Sequence, residues 1–314
     1  MGQPAFWYRK LSLLRWIFTP FGYVYAYFVR RRLNKTKPYQ PRVPVICVGN
    51  LCVGGSGKTP VALAVADFFI KKGKKVVFLS HGYKSVKQDI IVDLKDTKGV
   101  GDEALLMAQK APTVVNRNRA EGVRRAEKMG ADVIVMDDGF QNPSVVKTLS
   151  VLVFDGKYGV GNGACIPAGP MRETLSEGLK RADAVIVMGE DKTGLKEKIR
   201  KINNRMPVLK GKLEPTVTLK GKKGFAFAGI GHPEKFFEML KNNGVVLTGK
   251  KAFPDHFNYT EKTMKSLIKK DDVLLTTAKD MVKIPPEFHN KIICVDVEFK
   301  PEFEGDWASL LGEK

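Results

Sequence analysis

The chain has 314 residues, 43% of them hydrophobic, and a formal charge of +20. That is the composition of a globular protein long enough for two ordinary domains. Its four cysteines (Cys47, Cys52, Cys165, Cys294) are scattered without a CxxC pair, which argues for reduced, intracellular thiols and against a disulfide framework or zinc site. The excess charge calls for a polyanionic partner: nucleic acid, an anionic membrane or a phosphorylated substrate.

The first 42 residues narrow that choice. They contain nine Lys or Arg and no acidic residue, and ten aromatics fall between Phe6 and Phe28. Trp7, Leu11, Leu14 and Phe18 share one helical stripe; Phe21, Val24, Tyr25 and Phe28 share a second, with Pro20 expected to interrupt between them. The longest mostly apolar run, Trp16 to Val29, is shorter than the ~20 residues a spanning helix needs. There is no small-residue cleavage site of signal-peptide type. Aromatics aligned with aliphatics and closed by Arg30-Arg31-Arg32 describe a segment lying in the headgroup layer of an anionic membrane. The competing reading is a helical hairpin packed on the protein's own core. Nucleic acid is disfavoured, because the aromatics are not interleaved with the basic residues.

Residues 43–60, VPVICVGNLCVGGSGKTP, organise the rest. A short apolar strand runs into the turn Gly54-Gly55-Ser56-Gly57, then Lys58-Thr59 and a helical pattern from Val61 to Phe69. Strand, glycine turn and helix form the context of a phosphate-binding loop built from Cys52, Val53, Gly54, Gly55, Ser56, Gly57, Lys58 and Thr59. Glycines let backbone N–H groups turn inward on an oligophosphate, and the helix N-terminus adds its dipole. Lys58 would reach the β/γ-phosphates and the Thr59 hydroxyl a Mg²⁺ ion. Cys52 stands where the strict pattern has glycine.

Further on, Lys74 to Ser80 is a strand ending in SHGYK, and Asp89 to Leu94 is an apolar run. Gly101-Asp102-Glu103 opens a helix through Ala108, where both acids also suit simple capping. Arg119 follows a short strand and faces either phosphate or solvent. Ala131 to Met136 is a buried strand ending in Asp137-Asp138-Gly139, the acidic strand end that accompanies a phosphate loop. Strand Leu149–Asp155, the rigid turn IPAGPMRE (166–173), helix Thr174–Ala182 and strand Ala184–Met188 follow. Arg172 and Glu173 are either site residues or a surface ion pair. Then come helix Lys196–Asn203 and a connecting strand, Pro207–Pro215. A second α/β unit has strand Gly224–Gly231, helix Pro233–Asn242, strand Val245–Leu247, helix Thr260–Lys269 and strand Val273–Thr277. Strand Ile292–Phe299 could pair with the connector, and Trp307–Leu311 is an amphipathic tail. His256 lies in the loop Phe253-Pro254-Asp255-His256-Phe257, off any apolar face, as a functional or a capping residue.

The expected fold is therefore α/β: a mostly parallel sheet of P-loop NTPase type with helices on both faces, a smaller second α/β domain and an N-terminal interfacial helical segment. The expected divisions are 1–42, 43–215, 216–291 and a return strand and tail over 292–314.

The set VPVICVGNLCVGGSGKTP, SHGYK, GDEALL, VIVMDDGFQN, IPAGPMRE, GIGHPEKF, FPDHFNY and TTAKDMVK resembles one family, the tetraacyldisaccharide 4'-kinases of lipid A biosynthesis in Gram-negative bacteria. The resemblance implies transfer of phosphate from MgATP to the 4'-hydroxyl of a tetraacyldisaccharide 1-phosphate at the cytoplasmic face of the inner membrane, without an obligate protein partner. It implies that Asp102 accepts the hydroxyl proton and that His256, from the second domain, pairs with it. Lys58 would bind phosphate and Arg172 would stabilise charge on the transferring group. Thr59, Asp138, Gln141 and Glu173 would surround Mg²⁺, with Asp137 close by. Three positions depart from the family: His81 for Arg in SHGYK, Asn142 for His after DDGFQ, and Ala278 for Pro in TTAKD. The rival class is a membrane-cycling P-loop switch ATPase, but such proteins carry Lys before the glycine pair, where this chain has Val53.

Overall fold

The computed structural model describes residues 4–9, 11–83, 85–268 and 273–312. Lys84 of the SHGYK motif, Lys10 of the leader and Lys269 at the end of an expected helix lie outside them. The strands are β1 (Val45–Gly49), β2 (Val76–Ser80), β3 (Ile90–Ile91), β4 (Thr113–Val115), β5 (Val133–Asp137), β6 (Leu149–Asp155), β7 (Ala184–Met188) and β8 (Val208–Pro215). They continue as β9 (Lys223–Ala228), β10 (Val246–Ala252), β11 (Leu274–Thr277), β12 (Ile292–Val295) and β13 (Val297–Pro301). The helices are α1 (Leu13–Lys35), α2 (Lys58–Lys71), α3 (Asp102–Ala108), α4 (Arg119–Lys128) and α5 (Leu175–Leu179). After them come α6 (Leu195–Ile202), α7 (Pro233–Asn242), α8 (Glu261–Ile268), α9 (Ala278–Met281) and α10 (Glu304–Leu310).

Among the described residues the strands form a nine-stranded sheet, ordered β13-β8-β7-β6-β1-β5-β2-β4-β3, and a four-stranded sheet, β10-β9-β11-β12. Pairing in the large sheet is parallel except at its two edges, β13 with β8 and β3 with β4. Strands buried on both faces must be apolar throughout rather than alternating, and β1 and β5 are buried at every position. Alternate residues of β1 feed different cores. Val45 and Cys47 join a cluster with Val123 of α4 and Ile199 of α6, while Ile46 and Val48 join one with Val61 and Val65 of α2 and Trp307 of α10. The first β-strand lies between β5 and β6, so the chain leaves the sheet at its topological switch point, where α/β sheets bind ligands.

The smaller sheet is parallel throughout, with α7 on one face and α8 on the other. The single strand expected over Ile292–Phe299 is two: β12 completes the smaller sheet, and after Asp296 β13 returns to β8 of the large one. Trp307 of α10 then packs edge-on against Phe299 at 5.2 Å between ring centroids, fixing the returned strand. Helix α4, capped by the Asn118 side chain accepting from the Glu121 N–H, has no counterpart among the expected elements.

The N-terminal segment also differs from expectation. Pro20 lies inside one continuous 23-residue helix, α1. A proline removes one helical hydrogen bond; here the Thr19 hydroxyl donates to the Arg15 carbonyl at 2.7 Å in the same turn. Gly22 and Val29 are buried, with Gly22 so close to the Cys165 carbonyl that a Cβ would come within 2.9 Å of it. A flanking face is uncovered: Leu14, Ile17, Phe21, Val24 and Phe28, spaced by three and four residues, are all exposed. Phe18 turns away to stack on Phe6. The helix is thus not a hairpin packed on the core. Among the described residues no helix is long and apolar enough to cross a membrane.

Candidate functional site

The glycine turn after β1 wraps the N-terminus of α2. Gly54 and Gly57 adopt φ of 114° and 88°, a region closed to most side chains, and Gly57 caps the helix. The Asn50 amide donates to the Ser56 hydroxyl at 3.1 Å, holding the turn. The turn is tied to the 166–173 segment by backbone bonds: Val53 N–H to the Pro170 carbonyl at 2.8 Å and Arg172 N–H to the Leu51 carbonyl at 2.6 Å. That pairing brings Arg172 beside the loop. Cys52 is held in it by an antiparallel bridge to Met171, and burial pushes its thiol up to about 12, so it serves as a packed apolar residue.

The two carboxylates at the end of β5 have different partners. Asp137 accepts from the Thr59 hydroxyl at 3.0 Å through Oδ2, while its Oδ1 is buried without a hydrogen bond. Burial, with Glu103 adding to it, pushes this carboxyl up to about 7. Asp138, at a left-handed φ of 51°, receives both Arg172 nitrogens at 2.7 and 3.1 Å, with Lys58 Nζ at 4.0 Å. Burial raises it, but Lys58 and Arg172 outweigh that and hold it below the usual carboxylate range. Glu173 is buried and paired with Arg181, and Gln141 bridges it to the loop, donating to Glu173 Oε1 at 3.1 Å and to the Asn50 carbonyl at 2.8 Å. Lys58, Thr59, Asp137, Asp138, Gln141, Arg172 and Glu173 thus form one connected group.

Asp102 and His256 meet across the two sheets. Asp102 begins α3, beside the large sheet; His256 lies between β10 and α8 of the smaller unit. His256 Nδ1 is 2.9 Å from both carboxylate oxygens. The His256 backbone is in the left-handed region, φ 62°, and its N–H donates to the Gly229 carbonyl at 2.9 Å. Burial acts to raise the Asp102 carboxyl, but the His256 hydrogen bond and the charges of His256, Lys279 and Lys283 bring it below the usual range. A further ion pair, Lys279 to Glu103 at 2.7 Å, joins the same two units. On the other side of the phosphate loop, Lys235 contacts Asp155, and the His232 ring stacks on Tyr158 at 5.8 Å.

A cavity of about 490 Å³ opens between α1 and the ends of β2 and β5, lined in part by Arg32, His81, Arg119, Asp138, Asn142 and Arg172. Arg119 is the surprise. It is 2% exposed; Nη2 donates to the Asp137 carbonyl at 3.3 Å and Nη1 is buried without a hydrogen-bond partner. Burial lowers its guanidinium to about 10. Burial, with Arg119 and Arg117 nearby, also lowers His81. His81 and Asn142, two of the departures from the family pattern, both face this cavity. The sequence left Arg119 open between phosphate and solvent, and Lys283, His232 and Lys235 did not stand out in it. The last three do fall in segments quoted above for the family likeness, TTAKDMVK and GIGHPEKF, which was the signal available.

The chain matches the family described as tetraacyldisaccharide-1-P 4'-kinase (LpxK) over residues 14–313. It is 46% identical to the tetraacyldisaccharide 4'-kinase of Paramagnetospirillum magneticum, covering 99% of this chain and 97% of that one. It is 42% identical to the Rhodospirillum centenum enzyme of the same name, covering 95% and 92%. Among solved structures, LpxK from Aquifex aeolicus in complex with ATP superposes with a TM-score of 0.78 at 30% identity, over 95% of this chain and 98% of that one.

Proposed function

Because the chain belongs to the tetraacyldisaccharide-1-P 4'-kinase family, the ATP-dependent kinases of lipid A biosynthesis, we propose that Asp102 is the base of that reaction and His256 its partner. The observation that carries this is the His256–Asp102 contact at 2.9 Å, made by a buried carboxylate at the start of α3. Asp102 takes the proton of the 4'-hydroxyl as that oxygen bonds to the γ-phosphorus; the bond from phosphorus to the bridging oxygen breaks, and ADP leaves. The His256 interaction keeps the carboxylate ionised and aimed. Catalysis of this kind is mostly positioning and charge stabilisation. The Val53 N–H is taken by the Pro170 carbonyl, so the backbone N–H groups of Gly54 to Thr59 cradle the phosphates, Lys58 reaches them from the start of α2, and Arg172 stabilises charge on the transferring group.

The donor set fits Mg²⁺. Among the described residues no three His, Cys, Asp or Glu side chains form a metal cage, as suits an ion usually bound by one or two carboxylates plus phosphates and water. Thr59 and Asp137 would hold it, since Asp137 keeps a buried oxygen unpaired. Asp138, Gln141 and Glu173 would complete its surroundings through the Arg172 network. When bound, the ion neutralises phosphate charge.

The basic cavity under α1 is the place for the phosphorylated disaccharide headgroup, and the exposed stripe of α1 would lie in the cytoplasmic face of the inner membrane. Basic residues near an anionic surface contribute about 1 kcal/mol each. The test is transfer of label from γ-labelled ATP to a tetraacyldisaccharide 1-phosphate in detergent micelles. Labelled lipid is expected from the native chain, with none from Lys58→Ala and only a residual fraction from Asp102→Ala. A fully active Asp102→Ala protein would remove the base assignment.

A further inference from the structure

The smaller unit delivers a buried ammonium to Asp102, besides the His256 ring. Lys283, just after α9, is 10% exposed, with Nζ at 3.7 Å from Asp102 Oδ2 and 3.1 Å from Asp280 Oδ1. Both carboxylates are buried, Asp102 at 5% exposure and Asp280 at 0%. Burying an ammonium is costly unless charge compensates it, and the Lys283 donors make no well-directed hydrogen bond. What holds it is its place between two carboxylates.

Asp280 belongs to the scaffold that aims His256. Its Oδ2 accepts from the Gly229 N–H at 3.0 Å and from the Thr277 hydroxyl at 2.8 Å, and Gly229 in turn accepts from the His256 N–H at 2.9 Å. A Cβ on Gly229 would come within 3.1 Å of Asp280 and of the Pro254 carbonyl, so the His256 loop and α9 are packed into one frame. That frame presents His256 and Lys283 to Asp102 together. We infer that Lys283 is a positioning residue for the kinase: its ammonium, clamped by Asp280, holds the Asp102 carboxylate against His256, and does so only when the two units are together. Any separation of the units takes both partners from the base at once. The groups facing Asp102 are thus His256, Lys283 and Lys279 from the smaller unit and Glu103 beside it on α3. Lys279 is taken up by Glu103 at 2.7 Å, which leaves Lys283 as the ammonium nearest Asp102. This inference rests on Asp102 being the base.

The experiment is the pH profile of kcat/KM for the full chain, Lys283→Met, Lys283→Arg and Asp102→Ala, each with its melting temperature and ATP affinity. An opposite charge this close lowers a carboxylate by roughly one to three pH units. Lys283→Met is therefore expected to move the acidic limb up by about one unit and to lower turnover about tenfold. Lys283→Arg should restore the limb, and ATP affinity should be unchanged in both. If Lys283→Met only lowers the melting temperature, or reduces activity equally at every pH with the limb in place, Lys283 is structural and the inference fails. If the native limb survives in the residual activity of Asp102→Ala, the limb is not that of Asp102, and both the base assignment and the inference fall.

Discussion

His256 Nδ1 lies 2.9 Å from each carboxylate oxygen of Asp102, although 154 residues separate the two in the chain. The contact joins a helix start on the large sheet to a loop on the smaller one, so the proposed base and the closure of the molecule are one arrangement. A general base contributes about 10²–10⁴-fold. Asp102→Ala is expected to lose turnover on that scale with ATP affinity changed less than about threefold, because the Asp102 carboxylate is engaged by His256 and Lys283 of the smaller unit. Single-turnover transfer and equilibrium ATP binding, measured on the same preparation, check both halves.

The pH dependence follows from the sign of the Asp102 shift. Its folded-state pKa lies below the ordinary carboxylate value of ~3.9. The pairing therefore stabilises the protein fully above the unfolded value, and the stabilisation is lost as pH falls through the folded one. Native protein should lose more stability than Asp102→Asn on acidification below about pH 4. Denaturant midpoints at neutral and acid pH check this; parallel losses in the two proteins would mean that the shift is absent.

Arg172 is fixed by its backbone bond to the Leu51 carbonyl and by two bonds to Asp138. Its removal is expected to cost two to three orders of magnitude in turnover, roughly the loss of one preorganised donor to developing charge. Arg172→Lys should recover little, because a single ammonium cannot make the two-pronged contact. Steady-state rates at saturating ATP are the readout.

Gly101 precedes Asp102, and a Cβ there would meet the Tyr83 carbonyl at 2.3 Å. Backbone cannot give way as a side chain does, so Gly101→Ala is expected to cost about 1–3 kcal/mol of stability. It should also lower turnover by displacing Asp102. Chemical denaturation and the transfer assay measure the two effects; a stable, fully active variant would show that α3 can shift freely.

The stripe Ile17, Phe21, Val24 and Phe28 is exposed at 52–62% per residue. Replacing all four with Ser should abolish binding to anionic vesicles while changing stability by less than about 0.5 kcal/mol per site, as for other surface positions. Co-sedimentation with phosphatidylglycerol vesicles tests this, and undiminished binding would move the docking surface elsewhere.

Arg119→Met tests the cavity. The guanidinium is buried, so some stability is lost. The expected signature is a rise in KM for the lipid of about tenfold or more with KM for ATP unchanged, on the scale of 1.5–3 kcal/mol for one charged hydrogen bond.

The sequence by itself determined whatever depends on neighbours along the chain. The phosphate loop is one contiguous turn between a strand and a helix, so its glycines, Lys58 and Thr59 are legible from spacing alone. The apolar strands are legible too, because burial on both faces leaves no alternation to disguise them. Tertiary structure decided the rest. Whether Thr59 meets Asp137 or Asp138 depends on the left-handed turn at Asp138, which sends that carboxylate to Arg172. Arg119 reads as facing either phosphate or solvent, and only the packing of α4 buries it under Asp137. Pro20 reads as a break until the surrounding helix carries through it. The His256–Asp102–Lys283 cluster has no local signature, because its members lie on separate elements of two sheets. Their encounter accompanies the packing of α3 against α9 and the Lys279–Glu103 ion pair across the two units, and a contact made by packing leaves no period in the sequence to read.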